Sequence, residues 1–404
     1  MHAEKFIVRE PLVNSQERVL GYEITWHGTA ASDPLRPDAD ILLLASFVAE
    51  QLNDTDSGAL LGDQVIFIEA RPMLLEHEEF GRLPPNGTIL VLRGDDLSAE
   101  GVPEAIKSAR AKGYGISLRD VDIASLDRAV LEQVTHIETN INSAGFPAQV
   151  QQFRALNLLT IRLVARCVDS WQAFELCKKL GIQAFVGNLH LTLRPGQHAR
   201  ELNPAQSLIL QLMDMVRQNA DVKQLEGVLK RDAALSYKLL RYINSAGFGL
   251  GCEIQSLKHA VTMLGYSPLY RWLALLLATA TTTGYSPVLM HAAIVRGRFA
   301  ELLGSTFLPR HEAENLFVAG MFSLLDKLLG VPMDDVLEKI QLSEPVTQAL
   351  LTREGIYGPF LALAEACELH SKDVNEMAGS LCIDARQVNQ AQLSALAWAQ
   401  RIAI

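Results

Sequence analysis

Glu23 is the first residue of the chain whose type and position could do chemistry. It lies in the stretch VLGYEITWHG, residues 19–28, which has the composition of a β-strand. A carboxylate at a strand end can bind a divalent cation, because hard cations prefer oxygen ligands. It can also be an ordinary glutamate held in an ion pair. Two-metal hydrolysis needs several such oxygens close together, so the neighbours of Glu23 decide between these alternatives.

Elements that could supply those neighbours follow Glu23 along the chain. Six segments are short and rich in Ile, Val, Leu and Phe: QVIFIEA, TILVLRG, YGISLRD, THIETNI, LTIRLVARC and IQAFVGNL. Helical stretches such as VPEAIKSARAKG lie between them and end in a Gly suited to a C-cap. Repeated β-α units predict a parallel sheet, and six or more in so short a span favour a closed barrel.

The second half of the chain has a different pattern. The segment LRPGQHARELNPAQ, residues 193–206, has no periodicity and predicts a linker. Beyond it, apolar residues recur at helical spacing, with N-caps expected at Asp232 and Ser256 and C-caps at Gly265 and Gly304. We therefore predict a barrel domain over residues 1–195, a linker over 196–206 and an all-helical domain over 207–404.

Composition limits the classes of function. The chain has 404 residues, of which 49% are hydrophobic, and a formal net charge of −10. No cluster of Lys and Arg offers a footprint for a phosphate backbone, so we expect no nucleic-acid partner. No signal peptide is evident, and the most apolar stretches are shorter than the roughly 20 residues of a membrane span. The five cysteines lack CxxC spacing, which predicts free thiols in a cytoplasmic protein.

Longer motifs resemble a known family of bacterial signalling proteins. The stretch REPLVNSQERVLGYEITWH resembles the opening of the EAL domain, the fold of cyclic-di-GMP phosphodiesterases. RDAALSYKLLRYINSAGF and EIQSLKHAVTMLGYSPLYRWLAL resemble the HDOD domain, a non-catalytic relative of the HD phosphohydrolases. The resemblance covers nearly the whole chain in the order of two-domain EAL/HDOD proteins. It implies an EAL-type (β/α)8 TIM-like barrel followed by an all-helical HDOD domain.

The resemblance also implies where an EAL site would lie. Such a site holds two divalent cations with Glu, Asn and Asp oxygens, and a Lys orients the attacking water. Glu23 matches the motif glutamate, Asp120 the second of the paired aspartates, and Asp169 a later glutamate. We expect the site to be vestigial in this chain. It maps to Glu23, His27, Glu69, Arg119, Asp120, Glu138, Arg166 and Asp169.

Most of these positions depart from the family pattern. His27 replaces an arginine that holds substrate phosphate, and Glu69 replaces an asparagine ligand. The position of a further glutamate ligand of the family falls near Val91. Arg119 stands where a metal-binding aspartate is expected, Glu138 where the lysine is expected, and Arg166 where a late glutamate is expected. Val186 stands where the family pattern has a glutamine, directly before Gly187.

A cation at position 119 suggests what replaces the metal ions. A guanidinium repels Mg²⁺ and can pair with Glu23, Glu69 or Asp120. Our hypothesis is that Arg119, with Arg93 or Arg166, acts as an internal counter-ion. Glu23 is then held in a salt bridge rather than bound to a metal.

The HDOD half also lacks the ligands of its catalytic relatives. Those enzymes use a His-Asp pair with outlying His and Asp residues, and this chain has no His-Asp dipeptide. The pair maps to Ser323 and Leu324, and a leucine cannot bind a metal. His291 is the position of an outlying ligand, and alone it is better explained as a packed or capping histidine.

These observations predict a protein that is not an enzyme and needs no cofactor. We expect a signalling scaffold whose partners are other signalling proteins, namely sensor kinases or cyclic-di-GMP enzymes. The alternatives left open are a receptor that binds cyclic-di-GMP without cleaving it and a residual phosphodiesterase. A homodimer through the EAL-like domain is also left open.

Overall fold

The chain forms two compact units, one comprising Lys5–Thr192 and the other containing Leu193–Ile404. The computed structural model describes residues 5–27, 37–53, 62–158, 160–194, 203–244, 254–280, 286–330, 332–339, 342–369 and 371–402. None of the helices within these ranges is both long enough and apolar enough to cross a membrane.

The first unit is a closed barrel of eight strands that neighbour one another in chain order, as the sequence predicts. The strands are β1 (Ile7–Asn14), β2 (Val19–Trp26), β3 (Val65–Glu69), β4 (Thr88–Arg93), β5 (Gly115–Arg119), β6 (His136–Asn140), β7 (Arg162–Arg166) and β8 (Ala184–Val186). Strands β2 to β8 are parallel, so their carboxyl ends share one mouth of the barrel.

Strand β1 departs from the regular (β/α)8 pattern. It runs antiparallel to both of its neighbours, β2 and β8. The reason is the turn after β1, where the Asn14 side chain accepts hydrogen bonds from the backbone N–H groups of Gln16 and Arg18, each at 2.9 Å. A turn this tight makes a hairpin, because a parallel neighbour needs a crossover of a dozen or more residues. The hairpin places Glu10 directly opposite Glu23.

Helices in the loops cover the outside of the barrel. They are α1 (Asp38–Asn53), α2 (Glu78–Gly81), α3 (Val102–Ala111), α4 (Arg128–Leu131), α5 (Phe146–Leu156) and α6 (Trp171–Lys179). In α6, Ser170 caps the amino end by accepting a hydrogen bond from the Ala173 backbone, and Trp171, Phe174 and Cys177 form one buried face. Their spacing of three residues is that of a helix packed on a sheet.

Apolar side chains fill the inside of the barrel below its mouth. A cluster of buried residues joins strands from both sides of the barrel: Leu12, Phe67, Ile89, Val91, Val164, Ala184 and Val186. Side chains alternate in direction along a strand, so the residue two positions further on points into the same interior. Each strand that supplies this cluster can therefore place its next inward residue at the mouth.

The second unit is helical throughout its described residues. Its helices are α7 (Pro204–Arg217), α8 (Val222–Leu229), α9 (Ala233–Ile243), α10 (Leu257–Leu264), α11 (Tyr266–Thr279), α12 (Pro287–Gly304), α13 (Arg310–Phe322), α14 (Leu325–Leu329), α15 (Met333–Lys339), α16 (Glu344–Thr352), α17 (Gly358–Glu368), α18 (Val374–Ser380) and α19 (Ala385–Gln400). The N-caps expected at Asp232 and Ser256 and the C-cap expected at Gly265 are confirmed.

Two boundaries differ from the sequence-based expectation. The predicted linker, 196–206, overlaps α7, because Asn203 and Gln206 form a reciprocal capping box and Pro204 takes the first helical position. Gly304 is the last residue of α12 rather than a residue beyond it, and Ser305 is the C-cap. Residues 196–202 of the predicted linker lie outside the described residues.

Helices α12 and α13 approach each other through glycines. A Cβ atom at Gly320 would lie 2.8 Å from the Arg296 carbonyl oxygen, and one at Gly297 would lie 2.7 Å from the Phe317 carbonyl oxygen. Real Cβ contacts are longer than this, so the two backbones meet where no side chain fits. This close approach brings Arg296 of α12 next to Ser323 at the end of α13.

Candidate functional site

Four charged side chains inside the barrel mouth form a closed ring of ion pairs. We call Glu23, Arg119, Glu138 and Arg166 the ion-pair ring. Arg119 Nη2 lies 2.7 Å from Glu23 Oε1, and Arg119 Nε lies 2.7 Å from Glu138 Oε2. Arg166 Nη2 lies 2.9 Å from Glu23 Oε2, and Arg166 Nε lies 3.1 Å from Glu138 Oε2. Positive and negative charges therefore alternate, and each carboxylate contacts both guanidinium groups.

The strands explain why these four residues meet. Arg119 and Glu138 are direct partners in the register of β5 and β6, whereas Arg166 is opposite Asn140. The stagger between β6 and β7 is typical of tilted barrel strands. Ser117, two residues before Arg119, donates a hydrogen bond to Glu138 at 2.7 Å. Glu23 reaches the ring from β2, on another part of the barrel wall.

Burial strengthens the attraction between the opposite charges of the ion-pair ring. Each of the four side chains is almost completely buried, Arg119 and Glu138 at 2% exposure. Burial alone raises the pKa of Glu23, but the charges of Arg119 and Arg166 and their hydrogen bonds outweigh it and lower this pKa to about 2. The two glutamates conversely raise the pKa of Arg119 against the effect of burial. Glu23 and Arg119 are therefore charged at neutral pH.

A third acidic residue, Glu10, lies next to the ion-pair ring. It faces Glu23 across the β1–β2 hairpin, and burial, followed by the charge of Glu23, raises its pKa to about 7. The two arginines oppose this rise but are already shared by two other carboxylates. We did not identify Glu10 from the sequence. The available signal is its two-residue spacing from the inward-facing Leu12, together with the hairpin register.

The remaining candidate positions lie at the rim of the mouth. Arg93, at the end of β4, has Nε 4.0 Å from Glu69 Oε1 and Nη2 3.7 Å from Asp120 Oδ2. Asp120 is 54% exposed and has a positive φ of 55°, which aspartate tolerates better than most residues. Asp169 is exposed and accepts a hydrogen bond from the Asn188 backbone at 3.0 Å. His27 is half-buried at the end of β2.

The pairing partners only partly match the sequence-based hypothesis. The Arg119–Glu23 ion pair and the participation of Arg166 are present as expected. The expected alternatives Glu69 and Asp120 are instead contacted by Arg93 at the rim. Glu138, which the family pattern marks as the lysine position, is the residue that closes the ring. Its role was missed because it depends on the stagger of β6 and β7.

The residues at the mouth do not fit a pair of divalent cations. Guanidinium groups occupy the space between Glu23 and Glu138, and both glutamates are fully engaged with them. Val91 and Val186, at two further ligand or substrate positions of the family pattern, belong to the apolar cluster. No group of three or more His, Cys, Asp and Glu side chains suited to a metal ion occurs in the part of the chain that the structure describes.

In the helical unit, an arginine contacts Ser323, one of the two positions to which the HD pair maps. Arg296 Nη1 donates to Ser323 Oγ at 2.8 Å, and Ser323 Oγ donates to the Gly320 carbonyl at 2.7 Å. Arg296 Nη2 contacts Glu368 at 2.6 Å, and its Nη1 contacts Glu365 at 3.1 Å. Arg296 was not identified from the sequence, since no family motif marks it.

The other candidates of the helical unit have ordinary surroundings. Leu324 is buried at 1% exposure, and His291 is half-buried within α12. The glycine-rich stretch GFGLG, residues 247–251, and Cys252 lie outside the described residues. The other four cysteines are free thiols.

Comparisons with known proteins agree with this architecture. Residues 202–342 match the family model of the HDOD domain. The chain is 25% identical over 403 residues to a cyclic di-GMP phosphodiesterase, CdgJ, of Vibrio cholerae, with 98% of this chain and 93% of that protein covered. The match to that relative extends over both units.

Solved structures of EAL proteins resemble part of the chain. The EAL enzyme Bd1971, in a form with bound cAMP and cyclic-di-GMP, overlaps 46% of this chain at 14% identity and a TM-score of 0.38. The chain covers 61% of the length of that protein. The EAL domain of DcpA from Mycobacterium smegmatis overlaps 45% of this chain, with 90% of its own length covered, at 15% identity and a TM-score of 0.35.

The chain therefore joins a closed barrel to a helical unit that contains an HDOD domain. A barrel followed by a helical domain is the arrangement predicted from the sequence. The Vibrio cholerae protein matches this chain over nearly its full length.

Proposed function

We propose that this protein is a non-catalytic scaffold in cyclic-di-GMP signalling that acts by binding other signalling proteins. The observation that carries the proposal is the ion-pair ring. Arg119 and Arg166 stand at two positions where the EAL pattern has acidic residues, and both bind Glu23, the one motif glutamate that is retained. A metal ion would have to displace two buried guanidinium groups that are each shared by two carboxylates.

Charge at the rim supports a protein partner over a nucleotide. The loops after β4, β5 and β7 carry the aspartates Asp95, Asp96, Asp120, Asp122 and Asp169. Cyclic-di-GMP carries two phosphate charges, which this rim would repel. A basic surface of another protein would be attracted to it, because complementary charge speeds association and selects partners. Met73, 74% exposed in the loop after β3, adds an apolar contact beside the rim.

Two alternatives are favoured by specific observations. The name of the Vibrio cholerae relative favours phosphodiesterase activity, and the arginines at the mouth favour a receptor that binds cyclic-di-GMP without cleaving it. The arginines of the ring are unsuited to phosphate, because their N–H groups already bind carboxylates in a buried setting. Arg93, a cation at the rim, lies beside Asp120.

The first test is calorimetric titration of the full chain with cyclic-di-GMP, without metal and with Mg²⁺ or Mn²⁺, followed by analysis of the nucleotide. We expect no binding heat and intact nucleotide in all conditions. Metal-independent binding of intact nucleotide would replace the scaffold with the receptor. A linear product formed only with metal would contradict the proposal.

The second test addresses the protein partner directly. Candidate sensor kinases and cyclic-di-GMP enzymes are titrated with the wild-type chain and with the triple variant D95N/D96N/D122N, which removes three rim charges. We expect binding of a partner to weaken at least tenfold and to lose its salt dependence. The matched control is D214N/D221N, which removes two acidic charges from the helical unit.

A further inference from the structure

A cleft in the helical unit has a composition unlike that of the barrel mouth. It has a volume of about 510 Å³ and lies between α11, α12, α13 and α19. Its polar lining consists mainly of Arg271, Arg298, Arg310, Glu301 and Glu314. Three arginines against two glutamates leave one positive charge in excess. Clefts of a few hundred Å³ with a few converging polar groups are typical of small-molecule sites.

Arg271 and Glu301 form the fixed floor of the cleft. Both terminal nitrogens of Arg271 donate to Glu301, each at 2.8 Å. The Arg271 guanidinium also lies 3.8 Å from the centre of the Phe317 ring and 5.0 Å from that of Trp398. Bidentate pairing and stacking hold this arginine in one orientation. Burial, and the nearby charge of Arg298, lower the pKa of Arg271, as expected where positive charge is in excess.

Arg298 lines the cleft and contributes to that excess charge. Its Nη1 donates to Glu301 at 2.8 Å, so this one carboxylate serves two arginines. Its Nε is buried and makes no hydrogen bond with the described residues. The side chain is 27% exposed, and its guanidinium lies 5.4 Å from the centre of the Trp398 ring. It is thus positioned to meet an anion.

The rest of the lining suits a flat apolar group. Leu264, Pro268, Leu302 and Ala313 line the cleft together with the half-buried indole of Trp398. A flat ring can stack on such a surface while an attached oxyanion reaches Arg298. Arg310, whose side chain is 90% exposed, stands at the edge of the same cleft.

We propose that this cleft binds a small molecule that combines a flat ring with one oxyanion group, a phosphate or a carboxylate. Arg298 contacts the oxyanion, and Trp398 with the apolar lining contacts the ring. Arg271 and Glu301 position Arg298 and make no contact with the ligand. The site lies wholly within the helical unit, so it is independent of whether the barrel mouth is catalytic.

The test is calorimetric titration of the full chain with three probes: guanosine 5′-monophosphate, guanosine and N-acetyltryptophan. We expect an anionic probe to bind and guanosine, which lacks the oxyanion, to bind at least tenfold more weakly. Binding by the monophosphate assigns the oxyanion to a phosphate, and binding by N-acetyltryptophan assigns it to a carboxylate.

Variants locate the binding in this cleft. Arg298→Met should weaken the anionic probe about 10- to 100-fold, the usual range for a charge-assisted hydrogen bond. Leu302→Trp, which fills the cleft and leaves every charge in place, should weaken it as well. Arg217→Met is the matched control, because Arg217 pairs with Asp214 on the surface of α7 and does not line the cleft.

Three results would overturn the proposal. The first is that neither anionic probe binds, and the second is that guanosine binds as tightly as its monophosphate. The third is that neither Arg298→Met nor Leu302→Trp changes the binding, although circular dichroism shows that both variants are folded. These variants do not change the ion-pair ring, so a failure of this proposal leaves the proposed scaffold function unaffected.

Discussion

Arg119 of β5 contacts Glu23 of β2 at 2.7 Å across the inside of the barrel, where the family pattern would have two acidic residues facing a metal ion. Removing one member of a buried pair leaves an uncompensated charge, which is strongly destabilising. The ring is therefore a structural element of the barrel, and under our proposal it also takes the place of the metal ions.

Arg119→Met tests the contribution of the ring to stability. We expect the free energy of unfolding to fall by about 3–5 kcal/mol, because Glu23 and Glu138 would then share Arg166 alone. Denaturation by urea, with no change in the slope of the transition, measures this. Arg128→Met is the control: its pair with Glu132 is at 3.4 Å and Arg128 is 92% exposed, so a loss below about 1 kcal/mol is expected.

A double variant separates charge from packing in the same experiment. Glu23→Gln combined with Arg119→Met leaves one positive and one negative charge in the ring. We expect this protein to be more stable than the sum of the two single losses predicts, by about 1 kcal/mol or more. Strict additivity would mean that the ring acts through packing.

Glu10→Gln tests the pH dependence of the barrel. The folded pKa of Glu10 is raised from 4.5 to about 7, so its contribution to stability is present below pH 4.5 and is lost as the pH rises through 7. The variant cannot ionise and should not show this loss. We expect the wild-type melting temperature to fall between pH 5 and 8 more than that of the variant.

The loss of stability at acidic pH provides an internal control for the Glu10 experiment. Glu23 has a folded pKa lowered to about 2, so its contribution is present above pH 4.5 and is lost as the pH falls toward 2. Both proteins retain Glu23 and should lose stability together in this range. A difference between them only below pH 4 would contradict the assignment of the raised pKa to Glu10.

Arg119→Asp tests whether the guanidinium excludes cations. The change would place a carboxylate between Glu23 and Glu138 and remove one positive charge, which favours an oxygen-liganded ion. We expect Mn²⁺ to raise the melting temperature of this variant by several degrees and to leave the wild type unchanged. Arg119→Asn is the control, because it removes the same charge without adding a carboxylate. A Mn²⁺ response of the wild type would contradict the prediction.

Gly297→Ala tests the close approach of α12 and α13. The added Cβ would lie 2.7 Å from the Phe317 carbonyl oxygen, so we expect a loss of about 1–3 kcal/mol from overpacking. Gly227→Ala is the matched control in α8, where nothing lies within 4 Å of the added atom. There the alanine should stabilise the protein by about 0.5–1 kcal/mol through helix propensity. Equal effects of the two changes would refute the proposed contact.

The sequence predicts the architecture well because its signals are local. Short apolar strands, C-cap glycines and the N-caps Asp232 and Ser256 each depend on a few adjacent residues. The direction of β1 is also local, since it follows from the turn at Asn14. Our (β/α)8 description did not include this reversal.

The site is less predictable because its contacts join distant residues. The Arg119–Glu23 pair could be anticipated from charge at aligned positions. Glu138 closes the ring only through the stagger of β6 and β7, and Glu10 joins it through the hairpin register. Arg296 reaches Ser323 because two glycines let α12 and α13 meet. None of these three features follows from residue type and spacing alone.

The ion-pair ring also bears on the order in which the barrel folds. Glu23 and Arg166 are 143 residues apart, so their contact forms only after a long loop has closed, which is slow. A shift of one residue in any of the four strands would turn its charge outward and leave the opposite charges buried and unpaired. We therefore expect Arg119→Met to speed unfolding more than it slows refolding. We also expect this variant to favour the native strand register less strongly, because the four charges together select that register.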